Sequence, residues 1–173
     1  MLKFVESRVV FSEVPDEITL ALSISNCPNH CKGCSEPYLA DDIGTEITHH
    51  VLDKLICENK GISCVAFMGG DGDHESIAKF SDYIKHVYKL KVAFYSGQDE
   101  LDLTLVPLLD YYKIGRFILP EGESKEWHKV RSGPICFPWT NQILFKRQGN
   151  TLIDITKEMQ KQPINHLENY IVG

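Results

Sequence analysis

The sequence predicts an α/β fold, and three features of the chain support this. Short apolar runs rich in β-branched residues alternate with segments whose apolar residues recur at helical spacing, and small or polar turns separate the two. Strands that alternate with helices pair in parallel through right-handed crossovers, so we expect an α/β sheet or an incomplete barrel. A complete eight-stranded barrel needs about 250 residues. The chain has 173 residues, so only part of such a barrel fits.

The first half of the chain carries the clearest elements. Residues 18–24 alternate apolar and polar side chains with a period of two, as in a strand with one apolar face. Apolar residues one turn apart over 46–60 predict a helix, with Thr45 or Thr48 as its cap. Residues 62–68 form an apolar run that ends at a glycine-rich turn, which predicts a buried strand.

The second half continues the alternation less clearly. A helix is expected over residues 100–111, with Pro107 in its first turn or at a kink. The segment 121–138 contains several glycines and prolines and is expected to be irregular. The other expected elements are a helix at 77–87, strands at 90–95 and 113–119, and a strand or hairpin at 143–145 and 151–155.

The composition fits one soluble domain spanning residues 1–173. The hydrophobic fraction is 43% and the charged fraction 24%, close to ordinary globular values. No segment approaches the roughly 18 consecutive apolar residues of a membrane span, and the amino terminus does not resemble a signal peptide. A formal net charge of -6 without a basic patch argues against nucleic-acid binding. We therefore expect a cytoplasmic protein that binds neither membranes nor nucleic acids.

Three cysteines, Cys27, Cys31 and Cys34, fall within eight residues directly after the first predicted strand. In a reducing cytosol such a cluster indicates metal binding or catalysis rather than disulfides. An iron-sulfur site is the favoured interpretation, while a zinc site and unliganded thiols remain alternatives. A structural zinc site would need a fourth ligand. The candidates for it are His30, Cys57, Cys64 and Cys136.

Three thiolates fill only three of the four irons of a cubane cluster, whereas a ferredoxin normally holds each cluster with four cysteines. The open iron can bind S-adenosylmethionine through its amino and carboxylate groups. One electron then splits a carbon–sulfur bond and yields a 5'-deoxyadenosyl radical. The cysteine spacing therefore predicts redox chemistry at the iron atom that has no cysteine ligand.

The glycine-rich turn that contains Gly69, Gly70 and Asp71 is the second candidate feature. Glycines let the backbone approach a ligand closely, and an acid beside them could receive the ammonium of a methionine moiety. The same pattern is also common in turns between a strand and a helix that bind nothing. Because ligands collect at the carboxyl edge of parallel sheets, this turn, the cysteine loop and the Ser96 turn are expected to meet there.

The remaining reactive side chains are interpreted as structural. The histidines at 49, 50, 74, 86, 128 and 166 are dispersed among polar residues and are expected at the surface or on helices, not as ligands. Cys136 is either a radical relay or a packed thiol, and the packed thiol is favoured.

The loop of Cys27, Cys31 and Cys34, with Gly33 before the last cysteine, resembles the cluster motif of radical S-adenosylmethionine proteins. Other segments are similar to one branch of that superfamily, the activating proteins of anaerobic ribonucleoside-triphosphate reductase. These segments are residues 9–17, 67–71, 95–97, 113–115, 140–142 and 154–156.

The resemblance implies an oxidoreductase with the incomplete parallel (β/α) barrel of the radical S-adenosylmethionine type. It implies that Cys27, Cys31 and Cys34 hold a [4Fe-4S] cluster and that the enzyme leaves a glycyl radical on the reductase. An electron donor such as flavodoxin or ferredoxin would reduce the cluster. The residues implied in binding S-adenosylmethionine are Gly33, Gly69, Gly70, Asp71 and Ser96.

The chain departs from the family pattern at several positions, which are Ser35, Gly72, the segment 116–138 and Ile143. The late departures bear on partner contact, so the role of 116–138 is left open. Two other functions are kept as alternatives. One is a small radical enzyme resembling carboxy-deazaguanine synthases, against which we count the lack of an evident pocket for a second substrate. The other is a zinc-stabilised binding module without catalysis.

Overall fold

The computed structural model describes residues 1–118 and 141–157, which form eight strands, two α-helices and short helical turns. The strands are β1 (Lys3–Val10), β2 (Thr19–Ile24), β3 (Thr45–Glu46), β4 (Cys64–Met68), β5 (Lys91–Tyr95), β6 (Tyr111–Ile114), β7 (Ile143–Gln148) and β8 (Thr151–Asp154). The helices are α1 (His49–Glu58) and α2 (His74–Tyr83), with a π-helical turn at Ile84–Tyr88 and 3-10 turns at Pro37–Ala40 and Val106–Leu108.

All eight strands belong to one sheet, in the order β3-β1-β2-β4-β5-β6-β7-β8. The central strands β2, β4, β5 and β6 are parallel, whereas β1 and β3 at one end and β7 and β8 at the other pair antiparallel. The predicted α/β fold with parallel pairing is therefore confirmed for the centre of the sheet. Its flanks are antiparallel, which alternation of strands and helices alone did not predict.

The two faces of the central strands pack in different apolar clusters. Leu20, Leu22 and Ile24 of β2 pack in a large apolar cluster that contains Leu52 of α1 and Ile77 of α2. Because side chains alternate across a strand, the intervening residues point to the other face. There Ala66 and Ala93 belong to a second, smaller apolar cluster that also contains Tyr95 and Tyr111. None of the buried residues of this cluster belongs to α1 or α2.

Both helices begin at side-chain caps. Thr48 Oγ1 accepts the backbone N–H of Val51 at 3.2 Å, which confirms Thr48 as the cap of α1. Asp73 caps α2 by accepting the backbone N–H of Ser76 at 3.0 Å. Such caps satisfy backbone donors that have no partner within the helix. None of the described helices has the length and apolarity that crossing a membrane requires.

The amino edge of the parallel strands is tied together by one buried carboxylate. Glu17, just before β2, has a side chain that is 2% exposed. Its Oε2 accepts from Ser63 Oγ at 2.7 Å, and its Oε1 accepts from Tyr111 OH at 2.9 Å. The ammonium of Lys91 also contacts Oε1. Glu17 therefore links the chain entering β2 to the starts of β4, β5 and β6.

Two secondary-structure predictions differ from the structure. Residues 100–111 do not form a helix, because Asp102 starts a turn by accepting the N–H of Thr104 and Pro107 then lies in a 3-10 turn. The fourth parallel strand is β6, which runs from Tyr111 to Ile114. It therefore begins and ends earlier than the predicted strand 113–119. Strand β1 was not predicted, since its sequence has no continuous apolar run.

Several predictions lie outside the described residues. These concern the whole irregular segment 121–138, the histidines at 128 and 166, and Cys136. For residues 143–145 and 151–155, where a strand or a hairpin was expected, the structure has a hairpin formed by β7 and β8. That the chain forms a single domain and acts in the cytoplasm stays a prediction.

Candidate metal and cofactor site

A cavity of about 540 Å³ opens at the carboxyl edge of the parallel strands. One wall is the cysteine loop after β2, and the others include the turns that follow β4, β5 and β6. The cavity is lined by Cys27, Cys31 and Cys34 together with Gly69, Asp71 and Ser96. The predicted meeting of the three turns at this edge is therefore confirmed.

Backbone hydrogen bonds hold the first and the last cysteine of the loop. The N–H of Cys27 donates to the carbonyl of Leu39 at 2.9 Å, and the N–H of Cys34 donates to the carbonyl of Cys31 at 3.1 Å. Gly33 has a φ of 78°, a value that glycine adopts without strain, and this turn brings the chain to the last cysteine. Cys27 and Cys31 are partly buried and Cys34 is exposed. The loop thus presents its three thiols toward one cavity, with one of them at the opening.

The three thiols are not arranged to hold a single metal ion in this structure. Across residues 1–118 and 141–157, no three His, Cys, Asp or Glu side chains stand in a geometry that could hold one metal ion. Three ligands of a cubane cluster bind three separate irons, so they need not converge on one point. No disulfide joins the cysteines of the described part, so the thiols are available to bind metal.

The described residues give little support to a closed zinc site. Cys64 opens β4 at the amino edge of the sheet, opposite the cavity, and is completely buried. Cys57 is exposed on the last turn of α1 and does not line the cavity. His30 does line it but lies between the first two cysteines. The remaining candidate, Cys136, lies outside the described residues.

Burial raises the pKa of the Cys27 thiol above its ordinary value, and hydrogen bonds from Asn29 oppose that effect. A thiol must lose its proton to bind a metal. Because burial keeps Cys27 protonated to higher pH in the absence of metal, metal binding must displace this proton.

Asp71 lies at the back of the cavity with a side chain that is 1% exposed. Ser96 Oγ donates to its Oδ1 at 2.5 Å. The backbone N–H of Gly97 and Nδ2 of Asn29 donate to its Oδ2 at 2.8 and 2.5 Å. A buried carboxylate is costly unless donors surround it, and here the donors come from two other loops. Asp71 therefore connects the cysteine loop to the turn after β5.

His74 contacts a residue of the site, although it does not line the cavity itself. It is the first residue of α2, as expected for a histidine on a helix. Its Nδ1 lies 2.7 Å from Asp102 Oδ2, and its Nε2 lies 3.5 Å from Asp71 Oδ1. These two contacts were not predicted from the sequence. The one available signal was the position of His74 three residues after Asp71, on the first turn of a helix.

Two glycines allow the loops of the site to touch. A Cβ atom on Gly97 would lie 2.5 Å from Asn29 Nδ2, and one on Gly72 would lie 2.8 Å from the carbonyl oxygen of Asn26. Gly72 was noted as a departure from the family pattern, and the close approach of the cysteine loop explains it. Neither position tolerates a side chain unless its neighbour moves.

The other predicted cofactor residues are placed as follows. Gly69 and Ser96 line the cavity, whereas Gly33 and Gly70 do not. A Cβ on Gly70 would lie 2.8 Å from Cδ1 of Ile77, so this glycine faces α2. Contact of any of these residues with S-adenosylmethionine stays a prediction.

Several polar and charged side chains also line the cavity. They include Arg8, Glu13, Lys113 and Gln142. The ammonium of Lys113 lies 4.5 Å from the ring centroid of Tyr95, within the range of a cation–π contact. The volume of the cavity falls within the range typical of small-molecule sites. The lack of an evident pocket, which we counted against a small-molecule substrate, is therefore no longer an argument.

Comparison with known proteins supports the metal assignment. Neither curated proteins nor solved structures gave a match. A family model described as a 4Fe-4S single cluster domain matches residues 18–115, which is more than half of the chain and includes the cysteine loop and the turns around the cavity. This chain therefore belongs to the family of 4Fe-4S single cluster domains, and it is an iron-sulfur protein.

Proposed function

We propose that the chain holds one [4Fe-4S] cluster through Cys27, Cys31 and Cys34 and uses it to cleave S-adenosylmethionine reductively. The observation that carries this proposal is the position of three thiols, and no fourth one among the described residues, on the wall of a single cavity. Family membership supports the cluster. The step to S-adenosylmethionine rests on the resemblance of the cysteine motif and on the room in the cavity.

The fold required by this proposal is an incomplete barrel of the radical S-adenosylmethionine type. Four adjacent parallel strands support it, because the segments at their carboxyl ends contribute Cys27, Gly69, Ser96 and Gly115 to the cavity. The antiparallel strands at both ends of the sheet would then flank the partial barrel.

When bound with one iron free, the cluster supplies the electron that splits the carbon–sulfur bond of S-adenosylmethionine. The chain supplies the binding surface. Gly69, which has a φ of 91° and lines the cavity, lets the backbone come close to the methionine end of the cofactor. The Ser96 turn forms the neighbouring wall. Asp71 holds that turn and the cysteine loop at a fixed separation through its hydrogen bonds to Ser96 and Asn29.

For the biological reaction, we propose activation of anaerobic ribonucleoside-triphosphate reductase by removal of a hydrogen atom from one of its glycines. Resemblance over many segments of the chain supports this choice. An activating enzyme must admit a loop of its partner, since a radical is useful only where the target carbon is already positioned. The cavity is open at the carboxyl edge and can admit such a loop. A donor such as flavodoxin or ferredoxin would provide the electron.

The test is to mix the reduced, cluster-loaded chain with S-adenosylmethionine and an anaerobic ribonucleoside-triphosphate reductase. We expect a glycyl doublet in the electron paramagnetic resonance spectrum and about one 5'-deoxyadenosine per radical formed. Cys31→Ala should give neither, although its fold should survive because the loop lies outside the packed core. Formation of 5'-deoxyadenosine without a glycyl doublet on any reductase would reject the partner and keep the chemistry.

A small-molecule substrate is the second candidate, and the charged side chains that line the cavity favour it. Arg8 and Lys113 both line the cavity and supply the positive charge that binding of an anionic substrate requires. The measurement that separates the two candidates is the yield of 5'-deoxyadenosine in the absence of a protein partner. A substrate-dependent increase caused by a small acid, with no protein radical, would support this second function.

A further inference from the structure

We propose that Asn29 is a positioning residue whose side-chain amide donates a hydrogen bond to the cluster ligand Cys27 and thereby raises the reduction potential of the cluster. This inference rests on the cluster part of the proposed function. It does not depend on S-adenosylmethionine or on the protein partner.

The geometry fixes the orientation of the Asn29 amide. Oδ1 of Asn29 accepts from Gln98 Nε2 at 2.8 Å, so Nδ2 points the other way. Nδ2 lies 2.5 Å from Asp71 Oδ2 and 3.6 Å from Cys27 Sγ. A side-chain amide has two N–H groups, and here each has one acceptor. The amide is therefore fully used, and one of its protons faces the ligand sulfur.

The surroundings prevent this amide from turning away. Asp71 is buried and accepts hydrogen bonds from Asn29, Ser96 and Gly97. Gly97 packs directly under Asn29, because a Cβ there would lie 3.0 Å from Asn29 Cγ. Loss of the amide would leave a buried carboxylate short of one donor, which is unfavourable. The amide thus has one stable position, beside Cys27.

The electrostatic consequence has a definite sign. Reduction adds one negative charge to the cluster and its thiolate ligands. A donor pointed at a ligand sulfur stabilises the more negative state, so it raises the potential. A cluster that must receive an electron from a soluble carrier gains from such a donor. Removing the donor should make the cluster harder to reduce.

The experiment is a redox titration of the cluster-loaded full chain, followed by electron paramagnetic resonance and carried out without S-adenosylmethionine. Asn29→Leu keeps the volume and removes the donor. We expect the ratio of reduced to oxidised cluster at a fixed solution potential to fall roughly tenfold, or about 59 mV toward negative values for a one-electron couple. The same substitution at Asn59, at the end of α1, should leave the potential unchanged.

A second variant separates the sulfur contact from a general loosening of the site. Ser96→Ala removes a different donor from Asp71 without touching Cys27. We expect its potential to stay near that of the wild type. A shift as large as that of Asn29→Leu would overturn the inference, since the effect would then come through Asp71. A midpoint potential that is unchanged in Asn29→Leu would also overturn the inference. In that case the presence of the cluster signal would still support the cluster part of the proposed function.

If Asn29→Leu does not retain its cluster, a measurement on the wild-type chain decides. The protein is prepared with asparagine labelled with ¹⁵N at the side-chain nitrogen, and its reduced cluster is examined by pulsed electron paramagnetic resonance. A ¹⁵N coupling is expected because Nδ2 of Asn29 lies next to a ligand sulfur. Its absence would contradict the inference. Absence of any [4Fe-4S] signal would instead reject the proposed function.

Discussion

At the scale of single residues, the site depends on contacts between loops that are far apart in the chain. Asn29 and Asp71 are 42 positions apart, and Asn29 and Gln98 are 69 apart. These contacts form because the parallel register of β2, β4 and β5 brings the ends of the three strands to one edge. The identity of each residue then decides whether the loops can touch.

Gly97 provides a sharp test of this close packing. Gly97→Ala places a Cβ 2.5 Å from Asn29 Nδ2, so the amide must move and loses its contact with Asp71. We expect the free energy of unfolding to fall by about 1–3 kcal/mol. The measurement is urea unfolding of the variant and the wild type under the same conditions.

The matched control is the double variant with Asn29→Ala. The Cβ of residue 29 would lie 3.5 Å from the new Cβ, an ordinary contact, so the clash disappears. The cost of Gly97→Ala should therefore be much smaller in the Asn29→Ala background. Equal costs in both backgrounds would show that the clash with Asn29 is not the cause.

The sequence predicted site residues that lie close together along the chain, but not residues whose partners lie on distant loops. Cys27, Cys31 and Cys34 were found because a short loop must bring its own thiols together. Asn29 and His74 were not, because their partners lie on other loops and nothing in the local pattern identifies them. Which loops meet is decided by the order and register of strands that are distant in the sequence.

At the scale of elements, the start of α2 is stabilised by a charged cap. Asp73 accepts from Ser76 through its backbone N–H at 3.0 Å and its Oγ at 2.8 Å, and the amine of Met1 lies 2.7 Å from Oδ2. Burial opposes ionisation of this carboxyl, but the amine and Ser76 outweigh it and lower the pKa of Asp73. The charged form is therefore favoured in the folded state.

We expect Asp73→Ala to destabilise the protein by about 1 kcal/mol at pH 7. Because the folded pKa is lowered, the contribution of Asp73 is complete above the unfolded value of about 3.9 and is lost as the pH falls through the folded value. The difference between wild type and variant should therefore shrink below about pH 4. Denaturant unfolding at pH 7, 5 and 3 measures it.

The control for this prediction is Asp82→Ala, near the other end of the same helix. Asp82 forms an exposed pair with His86, which contributes little. We expect Asp82→Ala to have a small effect on the free energy of unfolding at all three pH values. A cost of Asp73→Ala that stays constant down to pH 3 would contradict the assignment of a charged cap.

The amino edge of the sheet should be sensitive to the charge of Glu17. Glu17→Gln keeps the shape but points an amide at donors from Ser63, Tyr111 and Lys91. We expect a loss of roughly 1–3 kcal/mol in the free energy of unfolding. The same change at exposed Glu46 on β3 is the control and should have little effect.

The same variant distinguishes the two edges of the sheet. Because Glu17 lies at the amino edge and the cavity at the carboxyl edge, Glu17→Gln should leave the cluster spectrum unchanged. If Glu17→Gln changed the cluster spectrum but not the free energy of unfolding, Glu17 would affect the metal site and would not stabilise the fold.

The elements themselves were predictable where one face is apolar and where a cap or glycine marks the end. The strands β2, β4 and β5 and both α-helices meet these conditions. The helix expected over 100–111 does not exist, because Asp102 and Pro107 favour a local turn that the apolar spacing concealed. Strand β1 forms through pairing with β2, which supplies the stability that its own sequence lacks.

At the scale of the whole molecule, the residues that stabilise the fold and those that form the candidate site lie in different parts of the sheet. The helix-covered face and the amino edge contain the apolar core and the Glu17 contacts, whereas the carboxyl edge contains loops and a cavity. The α/β class and the meeting of three turns at one edge of the sheet followed from the sequence. The antiparallel flanks and the charged side chains that line the cavity required the three-dimensional structure, since they depend on which distant strands pair.

The most direct test of the central claim is the electron paramagnetic resonance spectrum of the reduced, full-length chain with and without S-adenosylmethionine labelled with ¹⁵N at its amino group. We predict iron and sulfide in the ratio of a [4Fe-4S] cluster, a spectrum that changes when S-adenosylmethionine is added, and a ¹⁵N coupling from the labelled amine. Cys27→Ala, Cys31→Ala and Cys34→Ala should each abolish these signals. A spectrum that is unaffected by the labelled compound, or stoichiometric zinc after anaerobic preparation, would contradict the account.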